Sequence, residues 1–382
     1  MALLTKDDVP RIRENLRTCA DFLRSVRFVL DVNSFEFYTK GAWCEHVVPA
    51  LCPRDVIGAA REFGASAAVI RENCDHTWGI DVHQQKLVNV NLFLRAAAHH
   101  TLAGLGFLLS TRDIFHLFQS SVHTEFQEPS LMCDKKCHEV ALLSRLVVAL
   151  VQHCSLNQDS VLVGLHTCGN LGSNILRVFL CHKQLRALSN VGCCYHLLTE
   201  TSPLGADAED PCGFPMSQFL LKSGFMLGRN MKMTACLAPE RAARGKGLPN
   251  ESLFRWAVLQ VIIRDRFKHV STTQHIGKVC NKTASFLGYC RKAFVLLGLD
   301  DSQISDDDIT AYHDSYAPRA HELEAFNTLK AALSPCVEAI IFLDRLSFLL
   351  EQDLSCHAAL VSLFDPAKSP RHYAIVAVKD KQ

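Results

Sequence analysis

A chain of 382 residues can hold two or three domains, and 48% hydrophobic with 21% charged side chains is the composition of an ordinary soluble globular protein. No uncharged apolar run approaches a membrane span, since the best candidate, Ala339–Leu350, carries Asp344 and Arg345; the start MALLTKDDVPRIREN lacks the basic and apolar parts of a secretory signal. Seventeen cysteines, an odd number at irregular spacing, favour reduced thiols in the cytosol or nucleus over a disulfide framework, and the net charge of +1 conceals a local imbalance taken up below.

Residues 1–130 read as a helical N-terminal region. Asp8–Leu30 has apolar residues at helical spacing (Val9, Ile12, Leu16, Phe22, Leu23, Val26). Pro53-Arg54-Asp55 opens a second amphipathic stretch that Gly64 ends, and Gln84–Leu109 adds one or two helices. None of the scattered glycines here builds a glycine-rich turn after a convincing strand. His76–Gln85, HTWGIDVHQQ, contains Gly-Ile-Asp, but no glycine loop precedes it.

Residues 131–202 read as the first part of an α/β core. Cys137–Val151 is a helix entered through Met132–Lys136. Val161–His166 is a buried strand ending in a polar turn, Asn174–Leu180 a crossover helix, and Ser189–Leu197 the neighbouring strand. In an open α/β sheet, chemistry sits past the carboxyl ends of such strands. The turn residues His166, Cys168, Gly169 and Asn170 are therefore the candidate catalytic, substrate-side group. Cys193, Cys194 and His196 are near them in the fold, yet strand periodicity points Cys193 and Cys194 to opposite faces and no C-x-x-C pair is present; no metal is expected.

Residues 203–333 read as a helical, locally basic insertion. Thr199–Pro215 is a loop, Glu251–Phe267 a helix, and Ser271–Leu297 a helix pair. Lys222–Lys292 holds fourteen Lys/Arg against three Asp/Glu, and the acidic stretch Asp300–Glu324 follows. The excess is read either as solvated helix faces or as a surface for RNA, with Arg229, Arg241 and Arg244 as substrate-binding candidates. Phe267 and Phe286 could stack on bases or fill a core.

Residues 334–382 read as a helix and hairpin that complete the sheet. Ser334 suits an N-cap and Pro335 the first position of a helix through Gln352. Ala358–Phe364 and Tyr373–Lys379 then read as an antiparallel pair.

The runs LHTCGNLG, VGCCYHLLTE, CGFPMSQFL, LGRNMKMTACLAPERAARGKGLPNESLFRWAVLQVIIRD and LFDPAKSPRHYAIVAVK, with the weaker FEFYTKGAW upstream, resemble a family of class I methyltransferase-like proteins. That family includes ribosomal RNA adenine dimethylase domain-containing protein 1. The resemblance runs nearly continuously from Met132 to Lys379. It implies a Rossmann-like core, methyl transfer from S-adenosylmethionine, and a methyl acceptor held at His166–Asn170.

One departure qualifies the activity. In the family, the segment resembling CDKKCHEVALLSRLVVALV leads into a strand and a glycine loop, D-x-G-S-G-x-G, that binds the cofactor. Here Val151 reaches Val161 through QHCSLNQDSV, which contains no glycine and leaves no room for the βα units that normally intervene. The expected fold is thus a partial class I sheet with Val161–His166 at an edge. Two readings follow: a cofactor-dependent methyltransferase, or a catalytically dead or truncated relative that keeps RNA- or protein-binding surfaces. A chain lacking the loop is expected to bind no S-adenosylmethionine. Its exposed edge strand is expected to cause poor solubility or to be covered by a partner.

Overall fold

The computed structural model describes residues 2–65, 78–119, 132–155, 159–201, 213–237, 250–267, 283–352 and 355–380. Its elements in chain order are α1 (Val9–Ser25), α2 (Pro53–Ala65), β1 (Ile80–Asp81), β2 (Lys86–Leu87), α3 (Val90–His99), β3 (Leu108–Ser110), α4 (Asp134–His153), β4 (Ser160–Cys168), α5 (Asn170–Cys181), β5 (Leu185–Cys193), α6 (Asn250–Arg266), α7 (Phe286–Leu297), α8 (Asp306–Tyr316), α9 (Ala320–Gln352), β6 (Cys356–Ser362) and β7 (Tyr373–Lys379). Short helices of three to seven residues fill several of the connections.

Five strands form the main sheet in the order β3-β6-β7-β5-β4. β4 pairs parallel with β5 through the crossover helix α5, and β7 runs antiparallel between β5 and β6. The sheet is the middle of three layers. Ile375 and Ala377 of β7 join Leu360 of β6 and Leu188 of β5 in a core shared with α1, α3 and α9. Their neighbours Ala374, Val376 and Val378 face the other way, with Val361 and Ala187, onto Leu143, Leu146 and Leu150 of α4. Every residue of β7 is buried, which explains its unbroken apolar run: a strand covered on both faces needs no polar alternation. β4 is the sheet's edge, as expected, and is far less covered, with Val163 exposed.

Three elements differ from the sequence reading. The tract Gln84–Leu109 is not purely helical. Asn89 caps α3, a turn through Gly106 at φ +73° follows, and Leu108–Ser110 then pairs parallel with Leu360–Ser362 of β6. Leu4 also bridges to Ala358 through two backbone hydrogen bonds of 2.7 and 2.9 Å. The N-terminal region thus supplies the sheet's other edge. Secondly, no helix begins at Ser334: α9 is one continuous helix with Pro335 inside it. An internal proline costs about 3 kcal/mol, but Leu323, Phe326, Leu329 and Leu333 before it and Ile340, Leu343 and Leu346 after it are all buried, so packing holds both halves in one rod. Ser334 Oγ donates to the Leu237 carbonyl (3.3 Å) instead of capping. Thirdly, the second strand stops at Cys193. Cys194 adopts φ +50°, and Tyr195–Leu197 forms a 3-10 turn.

Within the basic insertion, the described cations are largely answered inside the chain. Arg266 pairs with Asp308 (3.4 Å) and Lys232 with Glu200 (3.1 Å), while Arg291 reaches Asp306. Phe267 and Phe286 are buried core residues. Of the expected helix pair, Phe286–Leu297 is helical and residues 268–282 lie outside the described residues.

Candidate functional site

The carboxyl ends of β4 and β5 carry two adjoining groups of side chains. The first is built by a bulge. The β4–β5 register shifts between Gly164 and Thr167, and His166 sits there at φ +57°, in the left-handed region that a non-glycine residue adopts at a cost of order 1 kcal/mol. The bulge brings the imidazole to α4, where Nε2 lies 3.1 Å from Glu139 Oε2. Glu139 is 2% exposed, and its other oxygen accepts from Ser369 Oγ at 2.6 Å, with Lys135 Nζ at 3.5 Å. A carboxylate can only accept here, so in the neutral imidazole Nε2 carries the proton and Nδ1 is left as an acceptor. A half-exposed imidazole oriented by a buried carboxylate is a competent proton acceptor for a substrate group placed at Nδ1.

The second group is sulfur. The last rung of the parallel ladder sets Cys168 beside Cys193, with Sγ atoms 3.1 Å apart, and Cys194 Sγ lies 3.4 Å from Cys168. The periodicity argument that separated Cys193 from Cys194 fails because the strand ends between them: the left-handed turn at Cys194 brings its sulfur round to the same side. The three ligand atoms all lie within 4.8 Å of one another. Burial, then contact with neighbouring thiols, pushes the Cys193 and Cys194 thiols up. Beside this group, His196 Nδ1 is 3.3 Å from Cys236 Sγ.

The remaining turn residues are structural. Gly169, at φ +51°, lets the chain approach Leu197 closely; a side-chain carbon there would lie 2.8 Å from Leu197 Cβ. At Gly172 the same atom would sit 3.1–3.2 Å from Thr167 and the Arg345 guanidinium, so this glycine serves helix-on-sheet packing. Asn170 holds Thr199 by two hydrogen bonds of 2.7 and 2.9 Å and so ties the turn to the next loop. Thr167 Oγ1 donates toward Asn190 and Val191. Protein atoms occupy the space above both turn glycines, so neither forms the open backbone cradle that S-adenosylmethionine requires.

Of the cationic candidates, Arg229 is exposed on the helix Gly228–Thr234 with no hydrogen bond or ion pair among the described residues, whereas Arg241 and Arg244 lie outside the described residues. Sequence reasoning missed Glu139, Ser369 and Cys236. A signal for Glu139 was present: it shares a helical stripe with the buried Leu143, Leu146 and Leu150, where an acid requires a partner. Ser369 and Cys236 carry no such mark.

Residues 123–201 match the family model of a methyltransferase domain. The chain is 48% identical over 227 residues to "Probable methyltransferase-like protein 25" of Homo sapiens, and 48% identical over 225 residues to the protein of that name from Mus musculus. These alignments cover 59% and 58% of this chain but 38% of each relative, so the match spans well under half the length of those proteins. No solved structure matches. The mixed five-stranded sheet and the domain match agree on a Rossmann-like methyltransferase fold. Among the described residues, no helix is long and apolar enough to cross a membrane.

Proposed function

We propose that this methyltransferase-like chain retains the acceptor-facing side of a class I core and, as it stands, does not bind S-adenosylmethionine productively. The observation that carries the reading is the position of β4. Among the described residues it is the last strand of the sheet, and the sequence before it passes from Val151 to Val161 without a glycine. The family pattern needs a glycine loop and a ribose-holding carboxylate on strands that would lie beyond this edge, and the turn glycines after β4 are already packed against Leu197 and Arg345.

What the chain's own residues do in this reading is bind and orient. His166, fixed through Nε2 by Glu139, offers Nδ1 to a proton on the acceptor, and Asn170 fixes the adjoining loop. Without the cofactor half, these groups form a binding surface for an RNA or protein acceptor. The edge of β4, with Val163 exposed, is the surface that a covering partner would take. The Arg229–Arg244 stretch is the part of the basic insertion through which RNA phosphate would be met.

The test is calorimetric titration of the purified chain with S-adenosylmethionine and with its demethylated product. The reading expects no saturable binding below about millimolar concentration, the range where a few unassembled contacts barely offset the cost of association. Micromolar binding at one site would overturn it. For the RNA surface, binding is expected to weaken steeply with salt and to drop in Arg241→Ala/Arg244→Ala. Absence of binding at low salt would remove that part.

A further inference from the structure

We infer that Cys168, Cys193 and Cys194 form a binding site for a thiophilic divalent cation, zinc by its chemistry, held by three thiolates at the carboxyl end of the sheet. The inference stands apart from the cofactor question, since it uses only side chains that this chain contains. Three sulfurs from two strands converge within 4.8 Å, and one of them does so only because Cys194 takes a left-handed conformation that an ordinary strand residue would avoid. Zinc–sulfur bonds of about 2.3 Å in a tetrahedron place the sulfurs about 3.8 Å apart. The present separations of 3.1 and 3.4 Å therefore need to open by about 0.7 and 0.4 Å.

A second, independent observation concerns charge. Arg345 of α9 is completely buried, and its Nε and Nη1 have no hydrogen-bond partner among the described residues. It lies close enough to Cys193 to interact electrostatically, and it backs the glycines at 172 and 192 under the same end of the sheet. A buried guanidinium left short of partners is costly unless negative charge stands near it. Asp344, its neighbour on α9, supplies one such charge; three neutral thiols, or a disulfide between two of them, add none. Three thiolates around a divalent cation carry a net charge of −1. Binding releases three protons to solvent as three S–H bonds are replaced by three metal–sulfur bonds, with no change of oxidation state. Arg371, which is paired with Glu338 at 3.0 Å, also interacts with both Cys194 and Cys236. The fourth tetrahedral position is left for water or for one of the neighbouring donors, His196 or Cys236, which are 3.3 Å apart.

The experiment is titration of the full chain, reduced and stripped of metal by chelator, with Co²⁺ as the spectroscopic probe, followed by Zn²⁺. One cobalt per chain is expected to bind saturably, with a thiolate-to-cobalt charge-transfer band in the near ultraviolet that Zn²⁺ then abolishes. Cys168→Ser changes an exposed side chain and is expected to keep the fold by circular dichroism. It and Cys194→Ser should each weaken Co²⁺ binding by more than the roughly 10–100-fold that loss of an outer partner costs. Cys44→Ser, at an exposed thiol on the helix Ala42–His46, should leave it unchanged. The inference is overturned if the folded, reduced chain gives no such band, or if both variants keep it. It is also overturned if mass spectrometry finds a Cys168–Cys193 disulfide in place of metal under the same reductant.

Discussion

The two edges of the sheet are finished in different ways. At one edge, β6 is covered by a strand of only three residues, β3, and by the single bridge of Leu4. Short, interrupted cover of this kind blunts an edge, because it offers an incoming chain no long row of free N–H and C=O groups. At the other edge, β4 is nine residues long, runs through Val161, Leu162, Val163 and Leu165, and has no strand beyond it among the described residues. The first edge is closed by the chain's own N-terminal region. The second is open at the place where the family resemblance puts the cofactor-binding strands. The covered half and the proposed binding surface therefore separate across the sheet: the first holds the apolar strands β5, β6 and β7, and the second carries His166 and the three cysteines.

Substitutions graded across the sheet test that separation. Ile375 of β7 is fully buried at the centre, and Ile375→Ala is expected to cost about 2–5 kcal/mol in denaturant unfolding. Leu109 of β3 is 6% exposed, and Leu109→Ala should cost about 2 kcal/mol if the short strand is a true part of the core. A loss below about 0.5 kcal/mol there would make β3 decoration and break the comparison.

Acid should act mainly on the covered half. Burial holds His100 and His372 down to about 4. Their folded pKa values are depressed, so the stability they contribute is full above their ordinary value near 6.5 and is lost as pH falls toward 4. Asp344 acts the other way: burial pushes its carboxyl up to about 6, so its contribution grows as pH falls below 6. With two histidines opposing one carboxylate, the thermal midpoint should fall between pH 6.5 and 4, and His100→Gln with His372→Gln should flatten the fall. A midpoint that rises in that window in the parent chain would contradict the assignment.

The smallest effect on stability belongs to the open edge. Val163→Lys should change unfolding free energy by less than about 0.5 kcal/mol while reducing self-association measured by sedimentation, because a charge on an edge strand discourages a second strand. Unchanged association would show that the edge is not the adhesive surface.

The same contrast explains what could be read in advance. β5, β6 and β7 were visible as apolar runs because burial on both faces leaves no room for other residue types. β4 and its edge position followed from the missing sequence between Val151 and Val161. β3 was not visible: three residues after Gly106 carry no periodicity, and their pairing to β6 spans some 250 positions of sequence. Pro335 misled because a local stop signal was outweighed by burial along both halves of α9. In the candidate site, the position of the polar turn His166–Asn170 at the end of β4 was legible, because it follows directly from where the strand ends. The sulfur cluster was not, because it depends on one backbone conformation at Cys194 that ends the strand one residue before the periodicity argument needs it to continue.

The most direct test of the open edge is amide hydrogen exchange, resolved by residue, on the monomeric chain. The account predicts that the outward-facing amides of Val161–Leu165 exchange orders of magnitude faster than those of Tyr373–Lys379, and that a strand-donating partner slows them. Equal, slow exchange of both segments in an isolated monomer would contradict it, since β4 would then have to be covered.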